Sequence, residues 1–485
     1  MSDGEEAGGP SIVRRVGLVA GPVVCALVVA IPSPLHRLEG LGHRPAFAAG
    51  VSLLMAIWWF TEALPIHWTS LIPLVAWPAL DVFGAGVVGS AGRAAGEFVN
   101  AYIFLFAGGM AIGAAMEHWN LHRRVALHIM LRIGASPRRL LLGMLVSTSV
   151  ISLWISNTAT AVMMMPIGLA VVSQLELRAG RKLGSYAAAL MLAVAYAANV
   201  GGIGTKIGSA TNSIFVGFLS AKLQYDMSFL EYVAVALPFV ILFVPIIWLV
   251  LWKLSARDAP RDATGREILR AELDALGSMT IREKQVAQAF LLAATLWILG
   301  DPIRALLKPL SPFPFEGRHY EAWVALLGAG LLVARGALPL AAVKRIPVPA
   351  LLLLGGSFAM AAGIEGSGLS RWLGLQLEPV RALPLLAQLF IAVAATVALS
   401  AVASNTATVN LMLALLPANL PLLSAVGMAA SCDFALPAGT PPNAIVFGSG
   451  RIRLPTMMRV GVLLDLAAVL LLTLYGATWL RLVLG

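Results

Sequence analysis

Charge and cysteine are both scarce in this 485-residue sequence: only 12% of its residues are Asp, Glu, Lys or Arg, and two are Cys. A soluble globular surface carries roughly 25% charged residues, so that class is excluded. Cys25 and Cys432 lie far apart inside apolar runs, which excludes a disulfide framework or a thiolate metal cluster. No HExxH, GxSxG or Cys/His cluster occurs, and Ser156 and Ser404 have no histidine in their neighbouring segments. The chain therefore lacks the parts of an intramembrane enzyme. Strand-like alternation is absent too, so helices are the way to satisfy backbone groups in lipid.

What is present is apolar length. Hydrophobic residues make up 59% of the chain, and the mean hydropathy is +0.86. The pattern predicts an all-α polytopic membrane protein with about eleven spans, near residues 16–32, 45–63, 66–83, 98–120, 184–222, 228–252, 285–300, 320–337, 349–370, 420–449 and 456–484. Arg14 and Arg15 precede the first of these, and no small-residue cleavage site follows, which reads as a retained span with a cytoplasmic N-terminus. The net charge of +10 comes from cations in short loops, a topology signal rather than a nucleic-acid surface.

Two further apolar stretches, 140–175 and 384–418, are too long for one crossing. Arg138 and Arg139 precede the first, and Arg178, Arg181 and Lys182 follow it. Both its ends then face one side, which makes it a re-entrant hairpin. Such a tip is tolerated only where it lines a cavity.

The polar segment 256–284 divides the chain near its middle, and the two halves repeat. Gly108 and Gly356, Glu117 and Glu365, Leu121 and Leu369, Ser152 and Ser400, and Ser156 and Ser404 share one constant offset. The register includes an identical pentapeptide, Ser156-Asn157-Thr158-Ala159-Thr160 and Ser404-Asn405-Thr406-Ala407-Thr408. Five crossings separate the hairpins, so the repeats are inverted. The expected organisation is 1–97 as N-terminal scaffold, 98–255 as the first repeat, 256–284 as a cytoplasmic connector, 285–348 as scaffold spans and 349–485 as the second repeat. Inverted repeats with interrupted helices are the architecture of alternating-access carriers, with the site near the midplane.

Each pentapeptide sets two hydroxyls and a carboxamide beside a chain break. An Asn side chain offers oxygen to a cation and NH2 to an anion. The helix that starts after the break aims free N–H groups at the same place, which suits a carboxylate or another oxyanion. Ser156, Asn157, Thr158, Ser404, Asn405 and Thr406 are thus candidate substrate contacts. Ser and Thr also glue membrane helices together, but two copies in repeat register argue against that use here.

A second pair of breaks follows the hairpins. Pro437-Ala438-Gly439-Thr440-Pro441-Pro442-Asn443 cannot continue a helix, and its freed carbonyls are ready cation ligands. The counterpart, Gly201 to Asn212, interrupts an apolar run with glycines and Lys206. Thr211, Asn212, Pro442 and Asn443, at the ends of these breaks, join the candidate substrate contacts. A channel would also be lined by symmetric hairpins, but broken helices that hold ion and substrate together favour a carrier.

Taken together, Trp58-Trp59-Phe60-Thr61-Glu62-Ala63-Leu64-Pro65, Met116-Glu117-His118-Trp119, both Ser-Asn-Thr loops and Gly439-Thr440-Pro441-Pro442-Asn443 resemble the divalent anion/sodium symporter family over nearly the whole chain. The resemblance implies a sodium-coupled carrier of small divalent anions in a bacterial inner membrane, with no organic cofactor. C4-dicarboxylates are favoured, and tricarboxylates, 2-oxoglutarate and sulfate are near neighbours. It also implies homodimers with an elevator motion. One sodium site is implied at Ser152, Ser156, Asn157 and the glycine loop around Gly202, and a second at Ser400, Asn405 and the backbone near Asp433 and Ala438.

Lys206, Asp433 and the Ala210-Thr211 pair depart from the family pattern. Ionisable residues at membrane depth are functional candidates. Lys206 is expected either to stand in for sodium, which would make the chain a sodium-independent exchanger, or to snorkel or pair with Asp433. Asp433 is expected to strengthen a cation site or to bind a proton.

Overall fold

The computed structural model describes residues 12–36, 38, 41–259, 265–307, 317–376 and 378–484. Five residues of the expected connector, 260–264, lie outside that set, as do residues 1–11 of the N-terminus. Among the described residues the secondary structure is helical throughout. The chain is an all-α polytopic membrane protein.

Among the described residues seven helices are long and apolar enough to cross a membrane, or eight if the bent pair Ile281–Ile298 and Gly300–Leu306 is one span. That is fewer than the eleven expected, because several expected spans are divided into pieces too short to cross alone. The run 66–83 becomes Ile66–Thr69 and Ile72–Ala79. The run 184–222 becomes Gly184–Ile203 and Ala210–Leu223, and 420–449 becomes Leu420–Ala429 and Pro441–Gly448. Leu121–Ile133, whose charged residues hid it among loops, is an amphipathic helix with Leu121, Ala126, Leu127 and Met130 buried.

Two compact units emerge, one from Met1–Asn100 with Val348–Ala382 and the other from Ala101–Pro347 with Leu383–Gly485. Compactness cuts across the sequence repeat: Ala101–His118 belongs to the second unit, and its counterpart Val348–Gly366 to the first. In the first unit, Ile12–Ala30 packs on Arg44–Thr61, and the Trp77 indole donates to Ala359 O at 2.7 Å.

The second unit contains both hairpins and both breaks. Its centre is Gly184–Ile203, buried from Tyr186 to Ile203. Small residues let neighbours approach it: an added Cβ on Gly201 would lie 2.5 Å from the Ser149 backbone. This helix packs against Pro137–Ser152, Asn157–Ala179, Phe229–Ser255 and Pro441–Gly448. The repeats interlock around it. The helix after the first break, Ala210–Leu223, packs on the second hairpin arm Asn405–Leu415, while Pro441–Gly448 packs on the first hairpin arm Asn157–Ala179.

Candidate functional site

Both apolar stretches with Ser-Asn-Thr fold as helix–turn–helix. The first comprises Pro137–Ser152 and Asn157–Ala179; the second comprises Leu385–Ser400 and Asn405–Leu415. Ser156 and Ser404 are extended at the N-caps of the returning arms, where their hydroxyls accept from Ala159 N at 3.4 Å and Ala407 N at 3.2 Å. Capping explains the helix starts at these positions and fixes the two serines. Aromatic packing holds the first tip, with Trp154 stacked on Phe229 at 6.2 Å and edge-on to Phe290 at 4.9 Å. The Thr205 hydroxyl also donates to Leu153 O.

Behind each tip the same oxygen arrangement recurs. Ser152 Oγ lies 3.0 Å from Asn157 Oδ1 and 2.6 Å from Ala198 O. Ser400 Oγ lies 3.0 Å from Asn405 Oδ1 and 2.7 Å from Ala430 O. A hydroxyl has one proton for its two oxygen neighbours, so each cluster retains lone pairs facing inward. Both serines are fully buried. Such neutral oxygen cradles suit a hard monovalent cation. Gly202 closes the first: a Cβ there would sit 2.0 Å from Asn157 Oδ1.

The breaks share a second device. Asn212 Nδ2 donates to Gly202 O and Thr205 O, both at 2.7 Å. Asn443 Nδ2 donates to Asp433 O at 3.1 Å and Leu436 O at 3.0 Å. Each carboxamide therefore staples carbonyls ten and seven residues upstream in its own break. Both amide N–H bonds of each residue are thus spent on the backbone. Pro442 is buried beside Asn443, and Thr211 Oγ1 lies 2.9 Å from Ser209 Oγ and 3.2 Å from Ser431 Oγ. Replacing Asn212 by Ala removes two buried bonds and is expected to cost about 2 kcal/mol, seen as a lower unfolding temperature of the purified protein.

Cross-repeat bonds join the breaks. Tyr196 donates to Phe434 O, and Asn199 Nδ2 to Thr440 Oγ1, each at 3.0 Å. By contrast, Thr158 is exposed and Ser156, Asn157, Ser404, Asn405 and Thr406 are partly exposed. The tips remain accessible while the cradles behind them are closed. Ala438 is exposed at the turn of the second break.

Lys206 requires a correction. Its ammonium neither enters the Ser152–Asn157 cradle nor snorkels nor meets Asp433. It lies 2.9 and 2.7 Å from the two carboxylate oxygens of Glu321 and also donates to Met227 O. Lys206 is fully buried and Glu321 is 3% exposed. Burial without water makes a buried carboxylate the natural partner of that charge. Glu321 and Asp465 were both missed in the sequence; each is a lone acid in an apolar run, and that was the available signal. Asp465 accepts from Phe434 N at 2.8 Å.

Comparison with known proteins supplies the family. The model of the sodium:sulfate symporter transmembrane region matches residues 13–485. The chain belongs to this family of divalent anion/sodium symporters. Members compared with it include the sodium-dependent dicarboxylate transporter SdcS of Staphylococcus saprophyticus, 34% identical over 95% of this chain and 90% of that protein. SdcS of Staphylococcus aureus strain USA300 is 34% identical over 97% of this chain and 92% of its own. The fold is similar to that of the Alcanivorax borkumensis YdaH transporter, with a TM-score of 0.57 at 14% identity, covering 89% of this chain and 98% of that one. It is also similar to MtrF of Neisseria gonorrhoeae, with a TM-score of 0.55 at 11% identity, covering 99% of this chain and 96% of that one. As a symporter-family chain the protein is a membrane transporter and not an enzyme.

Proposed function

We propose that this transporter couples inward sodium movement to uptake of C4-dicarboxylates by alternating access. The observation that carries the reading is the pair of buried oxygen cradles, Ser152–Asn157–Ala198 and Ser400–Asn405–Ala430, each directly behind an accessible Ser-Asn-Thr helix start. Sodium is a substrate here, moving with the anion. In the first cradle it would be held by Ser152, Asn157 and the backbone at Gly202, with Ser156 at the helix start beside it; in the second by Ser400, Asn405 and the break around Asp433 and Ala438.

The two carboxylates of the anion would meet Ser156, Asn157 and Thr158 on one side and Ser404, Asn405 and Thr406 on the other. Free N–H groups of the first helical turns and two cations then balance its charge without a fixed cationic side chain. Weak, shared contacts of this kind permit release. The names of the staphylococcal relatives support both the dicarboxylate and the sodium dependence. The proposal includes re-entrant hairpins in inverted repeats, a bacterial plasma membrane with the N-terminus in the cytoplasm, and an elevator movement in a homodimer.

The pairing of Lys206 with Glu321 supports this reading over the exchanger alternative, in which the Lys206 charge would replace a sodium ion. The test is uptake of radiolabelled succinate into proteoliposomes, with sodium or choline outside and with or without unlabelled succinate inside. Saturable uptake that needs external sodium is expected. Uptake driven by internal succinate alone would indicate exchange, and competition by sulfate but not by malate or fumarate would move the substrate to inorganic anions.

A further inference from the structure

The two breaks are built on one pattern, with a single conspicuous exchange of residue. The stapling bonds of Asn212 and Asn443 align Gly202 with Asp433, since each supplies the carbonyl ten residues upstream. At Gly202 there is no side chain, and the Asn157 carboxamide oxygen fills the space a Cβ would need. At the matching position in the second break the side chain is a carboxylate.

Asp433 is 1% exposed, and no cationic side chain reaches its carboxylate oxygens among the described residues. The Asn405 carboxamide lies beside it. Its Oδ2 occupies a confined volume: a Cβ built on Gly439 would be 2.4 Å from that oxygen and 3.4 Å from Ala401 O. Gly208 stands in the same position in the first break, where the corresponding Cβ would meet the backbone, nearest Gly202 O at 2.5 Å and Ser152 O at 2.9 Å. A carboxylate thus stands in the second break where the first has a carbonyl. Among the described residues no ion pair reaches Asp433, and Lys206, the nearest candidate in the sequence reading, is held by Glu321. Asp465, itself an acid, offers no countercharge, and its carboxylate accepts from the Phe434 N–H. A buried carboxylate with no countercharge is strongly unfavourable until a cation or a proton neutralises it.

We infer that Asp433 is a direct ligand of the cation in the second cradle, so that the two cation sites are unequal, one neutral and one carrying a fixed negative charge. This rests on the proposed sodium coupling and refines it. The charged site fills first and more tightly, and the neutral Ser152–Asn157 site fills second, at higher sodium, with the anion. A monovalent cation at the charged site also removes the electrostatic obstacle that Asp433 would present to a dianion arriving at Ser404–Thr406.

Thermal unfolding of the purified full chain, titrated with sodium chloride against choline chloride at constant ionic strength, tests the inference without relying on transport. The wild-type protein is expected to gain stability at low sodium concentration. Asp433→Asn is expected to unfold at a higher temperature than wild type in choline, because an unpaired buried charge is gone, and to need at least tenfold more sodium for half of its stabilisation. Gly439→Ala retains the charge but crowds Oδ2, and is expected to weaken the sodium response as well; it serves as the second variant if Asp433→Asn does not fold.

A half-stabilising sodium concentration in Asp433→Asn within twofold of wild type would overturn the inference. So would a wild-type protein stabilised by acid in choline and indifferent to sodium, which would make Asp433 a neutral carboxylic acid. Failure of sodium-driven succinate uptake in wild type, with the thermal titration intact, would instead count against the proposed substrate and coupling.

Discussion

Gly202→Ala is expected to lower sodium-driven succinate uptake by roughly 100-fold while the purified protein stays folded and monodisperse. The new methyl would need the space held by Asn157 Oδ1, 2.0 Å from the ideal Cβ position. Real Cβ atoms do not approach oxygen that closely, so the carboxamide must leave the cradle. The displacement breaks the contact with Ser152 Oγ at 3.0 Å and removes one oxygen from the cation. Hydrogen bonds and ligands to charged groups contribute about 1.5–3 kcal/mol, and about 1.4 kcal/mol is a factor of ten. The measurement is initial uptake rate against external sodium. A variant with wild-type rate and sodium dependence would mean that the Ser152–Asn157 cluster holds no coupling ion.

Lys206→Met is expected to destabilise the protein by about 3–5 kcal/mol, because it leaves the Glu321 carboxylate buried without its partner. Glu321→Gln should do comparable damage from the other side. The double variant Lys206→Met/Glu321→Gln is expected to recover most of the lost stability, since removing both charges also removes both desolvation costs. Thermal unfolding in detergent reads all three, and the double variant should retain sodium-dependent uptake. Independent, additive losses in the double variant would contradict a direct pair. Conversion of the double variant to a different ion requirement would return Lys206 to the coupling machinery. The pair ties the first break to Gly317–Ala334 at 2.7 Å.

The sequence made the hairpins and breaks legible because each is an interruption in an otherwise apolar chain. Polar side chains, prolines and clustered glycines are costly in lipid, so their positions are informative. The duplicated Ser-Asn-Thr loops were legible for the same reason, and their helix starts fall at Asn157 and Asn405. Lys206 could be recognised as unusual, but not assigned its partner. Glu321 is 115 positions away, and nothing local in either segment specifies that encounter. The same limit applies to Asn212 and Asn443, candidate substrate contacts whose amides staple carbonyls of their own breaks. Short helices such as Ile66–Thr69 and Leu121–Ile133 escaped because their apolar content is interrupted or confined to one face. The division into units follows three-dimensional packing, in which Val348–Gly366 leaves its repeat neighbours for the N-terminal helices. Periodicity carries no record of that choice.

The exchange of Gly202 for Asp433 could be seen in neither motif alone. It required the parallel bonds of Asn212 and Asn443, which set the two breaks in register. Repeat proteins make such comparisons informative, because one half supplies the reference for the other.

The most direct measurement of the central claim is the sodium activation curve of succinate uptake in proteoliposomes for wild type, Ser152→Ala and Ser400→Ala. Two unequal cradles predict a wild-type curve whose midpoint is set by the weaker, neutral one. Ser152→Ala should shift that midpoint to higher sodium, and Ser400→Ala, by bringing the two affinities closer together, should make the curve more sigmoidal. Serine variants that leave the curve's shape and midpoint unchanged would contradict the claim that the two cradles hold the coupling ions.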